Sequence, residues 1–282
     1  MKSRPATTPS TPLLVRRPAA EIRAAAAALS APDLTREECV HRARRRLKAA
    51  RSFLRVLRPV IDRAGYRFLI EELRAAKEVL SYARDADVAA ATAADLAARA
   101  VRRSGHSSAA ARAVMPLAAL RDRLVVRAEE AHEETIPPEE VAAALVLLAR
   151  EAERVTEGLA LPAAPILKAT RKAARAVRKA RRRAARTGRD RDLHAWRKAV
   201  KHQAVLAGLV GPAELAEQLD HLGDLLGVDH DLAMLDGVLR SEKHLTQGKR
   251  PRRAVRAFLA GRRGRLQHRA FRLGRRVEHR SR

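Results

Sequence analysis

The chain has 282 residues, 46 % hydrophobic but only 2 % aromatic, with 59 Lys and Arg against 32 Asp and Glu. A formal net charge of +27 opposes folding by self-repulsion and points to a polyanionic partner: nucleic acid, an anionic surface or a phosphate polymer. The lone Cys39 excludes an internal disulfide and argues against a cysteine-held metal, and no apolar run reaches the roughly eighteen residues of a membrane span.

The apolar share is rich in Ala, and β-branched or aromatic runs suited to strands are scarce, so the expected fold is all-α. Residues 1–20 carry Pro5, Pro9, Pro12 and Pro18 among Ser and Thr and read as a flexible tail. The Ala24–Leu29 run is short and follows Glu21 and Arg23, a poor signal-peptide core, so a cytoplasmic protein is expected. A helix is predicted from Thr35, with Glu38 completing a capping box, to Arg58 before Pro59. A second is predicted from Gly65, with Phe68, Leu69, Leu73, Leu80 and Val88 on its apolar face and Gly105 as its C-terminal cap. A third runs from Ser108 to Glu134 through Pro116, and a fourth from Pro137–Pro138 to Gly158.

Pro162 and Pro165 mark the next break. Beyond it the spacing predicts basic helices over Ile166–Arg186 and Asp190–Val210. Then come a shorter helix from Gly211–Pro212 to Gly227, another over Asp229–Leu245, and a very basic one over Pro251–Val277. Along the first of these, Lys168, Arg171, Arg175, Arg178, Arg182 and Arg186 recur at three- and four-residue steps. Ala173, Val177, Ala180 and Ala184 offer a small-residue face to a neighbour. A solvated charged face is the bland reading of that run.

Two stretches repeat one pattern. His41 is followed by Arg44, Arg45 and Lys48; His194 is followed by Arg197, Lys198 and Lys201. Offsets of three, four and seven fall on one helical face. Arg51 and Arg55 extend the first stripe, while Leu54, Leu57 and Ile61 lie on the other side. Downstream, Leu80–Asp85 (LSYARD) and Leu226–Asp231 (LGVDHD) form a second matching pair, so the chain reads as two copies of one helical module. Residues 21–160 make the first half and 161–282 the second.

The residues His41, Arg44, Arg45, Lys48 and Arg51, with Glu72-Leu73-Arg74 and Arg84-Asp85-Ala86-Asp87, and their second-half counterparts His194, Arg197, Lys198 and Lys201 with Leu226-Gly227 and Asp231-Leu232, resemble the CHAD domain, the conserved-histidine α-helical domain. The resemblance covers residue 21 to the end. It implies two pseudo-symmetric antiparallel helical bundles whose basic helices meet around a groove or pore. It also implies inorganic polyphosphate as ligand, a scaffold in place of an enzyme, no cofactor, and association with polyphosphate granules. The second copy departs from the pattern: Ala204 stands where the first has Arg51, and His202-Gln203 where the family more often has cations.

The expected polyphosphate-binding residues are therefore His41, Arg44, Arg45, Lys48, Arg51, Arg55, Lys168, Arg171, Arg175, Arg178, His194, Arg197, Lys198 and Lys201. Guanidinium forks match phosphate oxygens and a helix sets them in a row. Each histidine is either a protonated contact to phosphate or a local hydrogen bond near a helix start. Asp85 and Asp231 either orient the basic side chains or serve as turn residues. Two rival readings remain. Nucleic acid offers the same phosphates, although single-strand readers use aromatic platforms that this composition lacks. A metal-dependent phosphohydrolase could use Asp229-His230-Asp231 with His221 and Asp224, but no separate second His-Asp pair is evident.

Overall fold

The structure, a computed structural model, describes residues 11–133 and 136–280. These form ten α-helices: α1 (Thr11–Leu29), α2 (Arg36–Leu57), α3 (Arg63–Val79), α4 (Tyr82–Arg103), α5 (Ser108–Glu133), α6 (Pro138–Thr156), α7 (Ala163–Thr187), α8 (Asp190–Val210), α9 (Ala213–Ser241) and α10 (Lys249–Arg280). No strand occurs among the described residues, so the protein is all-α as its composition implied. Local signals set several ends. Thr35 Oγ1 accepts from the Glu38 N–H at 3.3 Å, and the Glu38 carboxylate accepts from the Thr35 N–H at 3.0 Å. This is the anticipated capping box at the start of α2. Gly188 closes α7 with φ of 60°, where a side chain would be strained, and its N–H bonds Ala184 O at 2.9 Å.

The expected tail over residues 1–20 needs correction. Residues 1–10 lie outside the described residues, but α1 begins at Thr11 and passes through Pro18. Leu14, Ile22 and Ala25 are fully buried, with Ala19 and Leu29 nearly so. Proline inside a helix costs about 3 kcal/mol, whereas burying one Leu or Ile contributes about 1.5–3 kcal/mol. The apolar stripe of α1 therefore outweighs its proline.

Two further boundaries differ from expectation, and they are equivalent positions in the repeat. The helix predicted from Gly65 to Gly105 is two helices, α3 and α4, broken at Leu80–Ser81. Gly105 sits in a 3-10 turn, Ser104–His106, instead of acting as a left-handed cap. Phe68, expected on the apolar face, is 45 % exposed. The two helices predicted on either side of Gly227 are one continuous α9. No glycine or proline marks the first break, because its cause is tertiary: the Arg44 side chain of α2 occupies the carbonyls freed at the end of α3. At the second position the helix runs on through Gly227, over which the Arg197 side chain lies.

Two hydrophobic cores hold the molecule. One gathers Leu14, Ile22, Leu47, Leu54, Leu57, Leu69, Leu73 and Leu145, from α1, α2, α3 and α6, together with the start of α7 and Leu206 of α8. The other is centred on Trp196, which is fully buried, stacks on Phe271 with centroids 5.0 Å apart, and covers Gly274 so closely that a methyl there would sit 2.7 Å from the ring. It gathers α4, α5, α8, α9 and α10 with Val177 and Ala184 of α7. The cores thus do not coincide with the sequence halves. α4 and α5, from the first half, pack with the second core, while α7 and α8 contribute to both. The small-residue face of α7 behaves as expected, with Ala173, Val177 and Ala184 buried.

Candidate functional site

Where α2, α4, α8 and α9 pack against one another, cations from both halves of the sequence converge. Lys48 of α2 is the centre. It keeps a solvent-accessible surface, yet protein closes around it, as happens to a side chain in a cleft. Desolvation by that surround, followed by the like charges of Arg197, Arg84, Arg44 and Lys77, holds its ammonium down to about 7. Arg197 of α8 is itself lowered by burial, with Asp231 and Asp224 drawing it back and Arg84 opposing it. Arg197 Nε and one ring nitrogen of His194, Nδ1, are buried without a hydrogen-bond partner among the described residues.

His41, His194 and His230 adjoin the same cation cluster, a furrow framed by these four helices, while His202 adjoins Arg55. His194 packs against His230 of α9, with ring centroids 4.2 Å apart and the rings tilted by 33°. Burial first, then Lys198, Arg197 and Lys48, holds His194 down to about 4. Burial and the same cationic surround, His194 included, hold His230 near the same value. Burial, with Arg55, does so for His202. His41 is lowered by burial and by Arg84, Arg45, Lys48 and Arg44. All four are therefore biased toward the neutral form unless an anion arrives.

These shifts set a pH dependence. Between about 4 and 6.5 the unfolded chain binds protons that folded His194, His202 and His230 do not, so unliganded stability falls as pH falls through that window. Lys48 acts likewise between about 7 and 10.5. Thermal melts from pH 7 to pH 4 should show a declining midpoint, and His194→Asn with His230→Asn should flatten the decline. A slope unchanged by that pair would refute the assignment.

The two repeat copies use the first cation after the histidine differently. Arg44, only 6 % exposed, turns its Nη1 to Lys77 O at 3.1 Å, Leu80 O at 2.8 Å and Ser81 Oγ at 2.6 Å. It thus caps the end of α3, and burial holds its guanidinium down to about 10. Arg197, its counterpart, lies across intact α9, its guanidinium 3.6 Å from where a Cβ at Gly227 would stand. Lys201 similarly crosses Gly223 and donates to Asp224 at 2.9 Å. Arg44→Ala should cost about 2–4 kcal/mol by stranding those acceptors. Arg44→Lys, lacking the fork, should recover less than half of that loss in a denaturant melt.

The remaining expected residues fall in different places. Arg45 and Lys198 are exposed at the furrow, within electrostatic reach of His41 and of His194 and His230, respectively. Arg51 faces α3, beside Arg74, Tyr66 and Glu78, and Arg55 lies between Arg51 and His202. Asp231 sits among Arg197, Arg84 and Lys48, and burial raises its carboxyl. Asp85 is largely exposed, 3.8 Å from Arg84. On α7, Lys168, Arg171 and Arg175 are exposed and Arg178 is half-buried, and no described interaction joins them to the Lys48 group.

Arg84, Lys77 and His230 belong to the furrow but were not among the expected ligands. Arg84 acts on His41, Arg44, Lys48, Arg197, His230 and Asp231. A signal for it existed: aligning LSYARD with LGVDHD sets Arg84 opposite His230, and both arrive at the furrow. Asp229, in the same triplet as His230, turns away. It is 2 % exposed and accepts from Arg263 Nε and Gln267 Nε2, each at 3.0 Å. Among the described residues no group of three or more His, Cys, Asp or Glu could hold a metal ion, and no helix is long and apolar enough to cross a membrane.

Known proteins bear on this arrangement. The chain is similar to PptA from Streptomyces chartreusis, with a TM-score of 0.68 at 16 % identity over 95 % of this chain and 99 % of that one. It is also similar to the crystal structure of the CHAD domain from the plant Ricinus communis, with a TM-score of 0.59 at 17 % identity over 99 % of this chain and 93 % of that one. At such identities the likeness shows the fold alone. No curated protein matches by sequence. The family model of the CHAD domain matches residues 17–240, most of the chain and every residue of the furrow, and the protein belongs to the CHAD domain family.

Proposed function

We propose that the protein binds inorganic polyphosphate, without catalysing its turnover, in the furrow between α2, α4, α8 and α9. The observation that carries this reading is the convergence on Lys48 of Arg197, Arg84, Arg44 and Lys77, a desolvated group of like charges drawn from both sequence halves. Two unit charges about 6 Å apart repel by about 0.7 kcal/mol in water and about 3 kcal/mol at the effective dielectric of a protein surface. A chain of phosphates lying along the furrow reverses those terms. It also brings acceptors to Arg197, whose Nε has no hydrogen-bond partner among the described residues. His41, Arg45, Lys48, Arg84, Arg197 and Lys198 are the proposed contacts. Arg44, Lys201 and Asp231 hold the walls, and Arg51, Arg55 and the α7 cations extend the positive field.

The carboxylates that hydrolysis would need are engaged by cations: Asp224 by Lys201, and Asp229 by Arg263. Trp196 and Phe271 stack on one another in the core and offer no platform to a base. Both features favour polyphosphate binding over hydrolysis and over single-stranded nucleic acid. Such binding would carry the protein to polyphosphate granules.

A titration with defined-length polyphosphate, run against RNA and duplex DNA of equal charge at two salt concentrations, tests the reading. Polyphosphate should bind tightest at both, with affinity falling steeply with salt and the melting temperature rising on binding. Duplex DNA binding as tightly as polyphosphate at both salts would overturn it.

A further inference from the structure

We propose that a second, separate site for phosphate groups lies between the C-terminal end of α4 and the middle of α10. A pocket of about 200 Å³ opens there, lined by Arg99, Arg102 and Arg103 of α4 and by Phe258, Arg262 and Arg265 of α10. It is distinct from the furrow. Arg102 lies eighteen residues beyond Arg84 on the same helix, about 27 Å at the helical rise. Among the described residues, Asp95 is the carboxylate paired with these arginines, holding Arg99 at 2.6 Å.

Arg262 shows what the pocket lacks. Its Nε is buried and has no hydrogen-bond partner among the described residues. Burial first, then Arg99, and beyond the opposing Asp95 also Arg265 and Arg269, works against its charge. Basic residues in the last turn of a helix have an ordinary explanation in its dipole, and Arg102 and Arg103 stand there in α4. That explanation does not reach Arg262 and Arg265, which come from the interior of a different helix. Nor does it account for a buried Nε without an acceptor. Guanidinium forks on several sides of a small cavity match the tetrahedral oxygens of phosphate. Phe258, 6 % exposed, forms an apolar wall. The cavity is smaller than the roughly 300–1,000 Å³ pockets of drug-sized ligands, so the ligand is a short run of phosphates.

The test uses the full-length chain and tripolyphosphate, read by calorimetric titration at low salt and by hydrogen exchange. The unaltered protein should show two binding steps, with exchange slowed at residues 99–103 and 258–265. Arg102→Glu with Arg265→Glu changes two exposed side chains. It should weaken one step at least tenfold, since each lost charge-assisted contact is worth about that factor. The protection at α4 and α10 should vanish with it, while circular dichroism remains unchanged. Arg262→Gln, which keeps much of the packing, should weaken the same step. Lys48→Glu should remove the other step and leave this protection in place, so failure of the furrow reading and failure of this one are told apart. Unchanged stoichiometry and unchanged protection in the double variant would overturn the second site.

Discussion

Lys48→Glu is expected to weaken polyphosphate binding by about a hundredfold to a thousandfold while raising the melting temperature of the unliganded protein. The two effects share one cause. Lys48 stands among Arg197, Arg84, Arg44 and Lys77, so its charge is repelled in the empty furrow and useful only when phosphate fills it. A glutamate there turns those repulsions into attractions. It also removes one charge-assisted contact, worth about 1.5–3 kcal/mol, and sets a carboxylate against the incoming anion. Lys48→Met separates the terms: it should also melt higher than the native chain, with an affinity between the two. Calorimetric titration beside a thermal melt reads both quantities. A Lys48→Glu protein that binds within threefold of the native chain would place the ligand elsewhere.

Asp229→Ala should have the complementary outcome, a stability loss of about 3–5 kcal/mol with furrow affinity unchanged. Its carboxylate is 2 % exposed and accepts from Arg263 and Gln267. Arg263 also holds Asp190 at 2.5 Å, tying α8, α9 and α10 together. Removing one partner of a buried pair leaves the other charge poorly compensated, and that is where the cost arises. At about 2–4 °C per kcal/mol for a chain of roughly this size, the melting midpoint should fall by about 10 °C. Asp231→Asn, two residues away on the opposite side of α9, should do the reverse, altering polyphosphate affinity with a smaller change in melting. Equal stability losses at both positions would show that Asp231 is also a core support. They would also remove it from the walls of the furrow.

How much of this was legible beforehand follows from the range of the interactions. Helix class, the capping box at Thr35 and Glu38, and the limits of α8 are local properties and were read correctly. The His-led stripes also emerged, because offsets of three, four and seven depend only on helical geometry. The break at Leu80–Ser81 was missed because its stabiliser, Arg44, is more than thirty residues away. The continuity of α9 was missed for the converse reason. Gly227 reads as a helix end, but α9 runs on through it beneath Arg197, and Gly223, one turn earlier, leaves the space that Lys201 crosses. The prolines of residues 1–20 read as a tail, whereas residues 11–20 are the first half of α1, whose apolar stripe finds its partners in α2 and α6.

The amino-acid order by itself determined that this chain is helical and strongly cationic and that its His-led spacing recurs, since propensity, composition and period are carried residue by residue. Only the tertiary structure decided that α4 and α5 join the second core and that Arg84 and His230 enter the furrow. It alone also separated Asp229 from Asp231. Those outcomes depend on which helix faces which, and burial and like-charge repulsion act through space between residues that the sequence holds far apart.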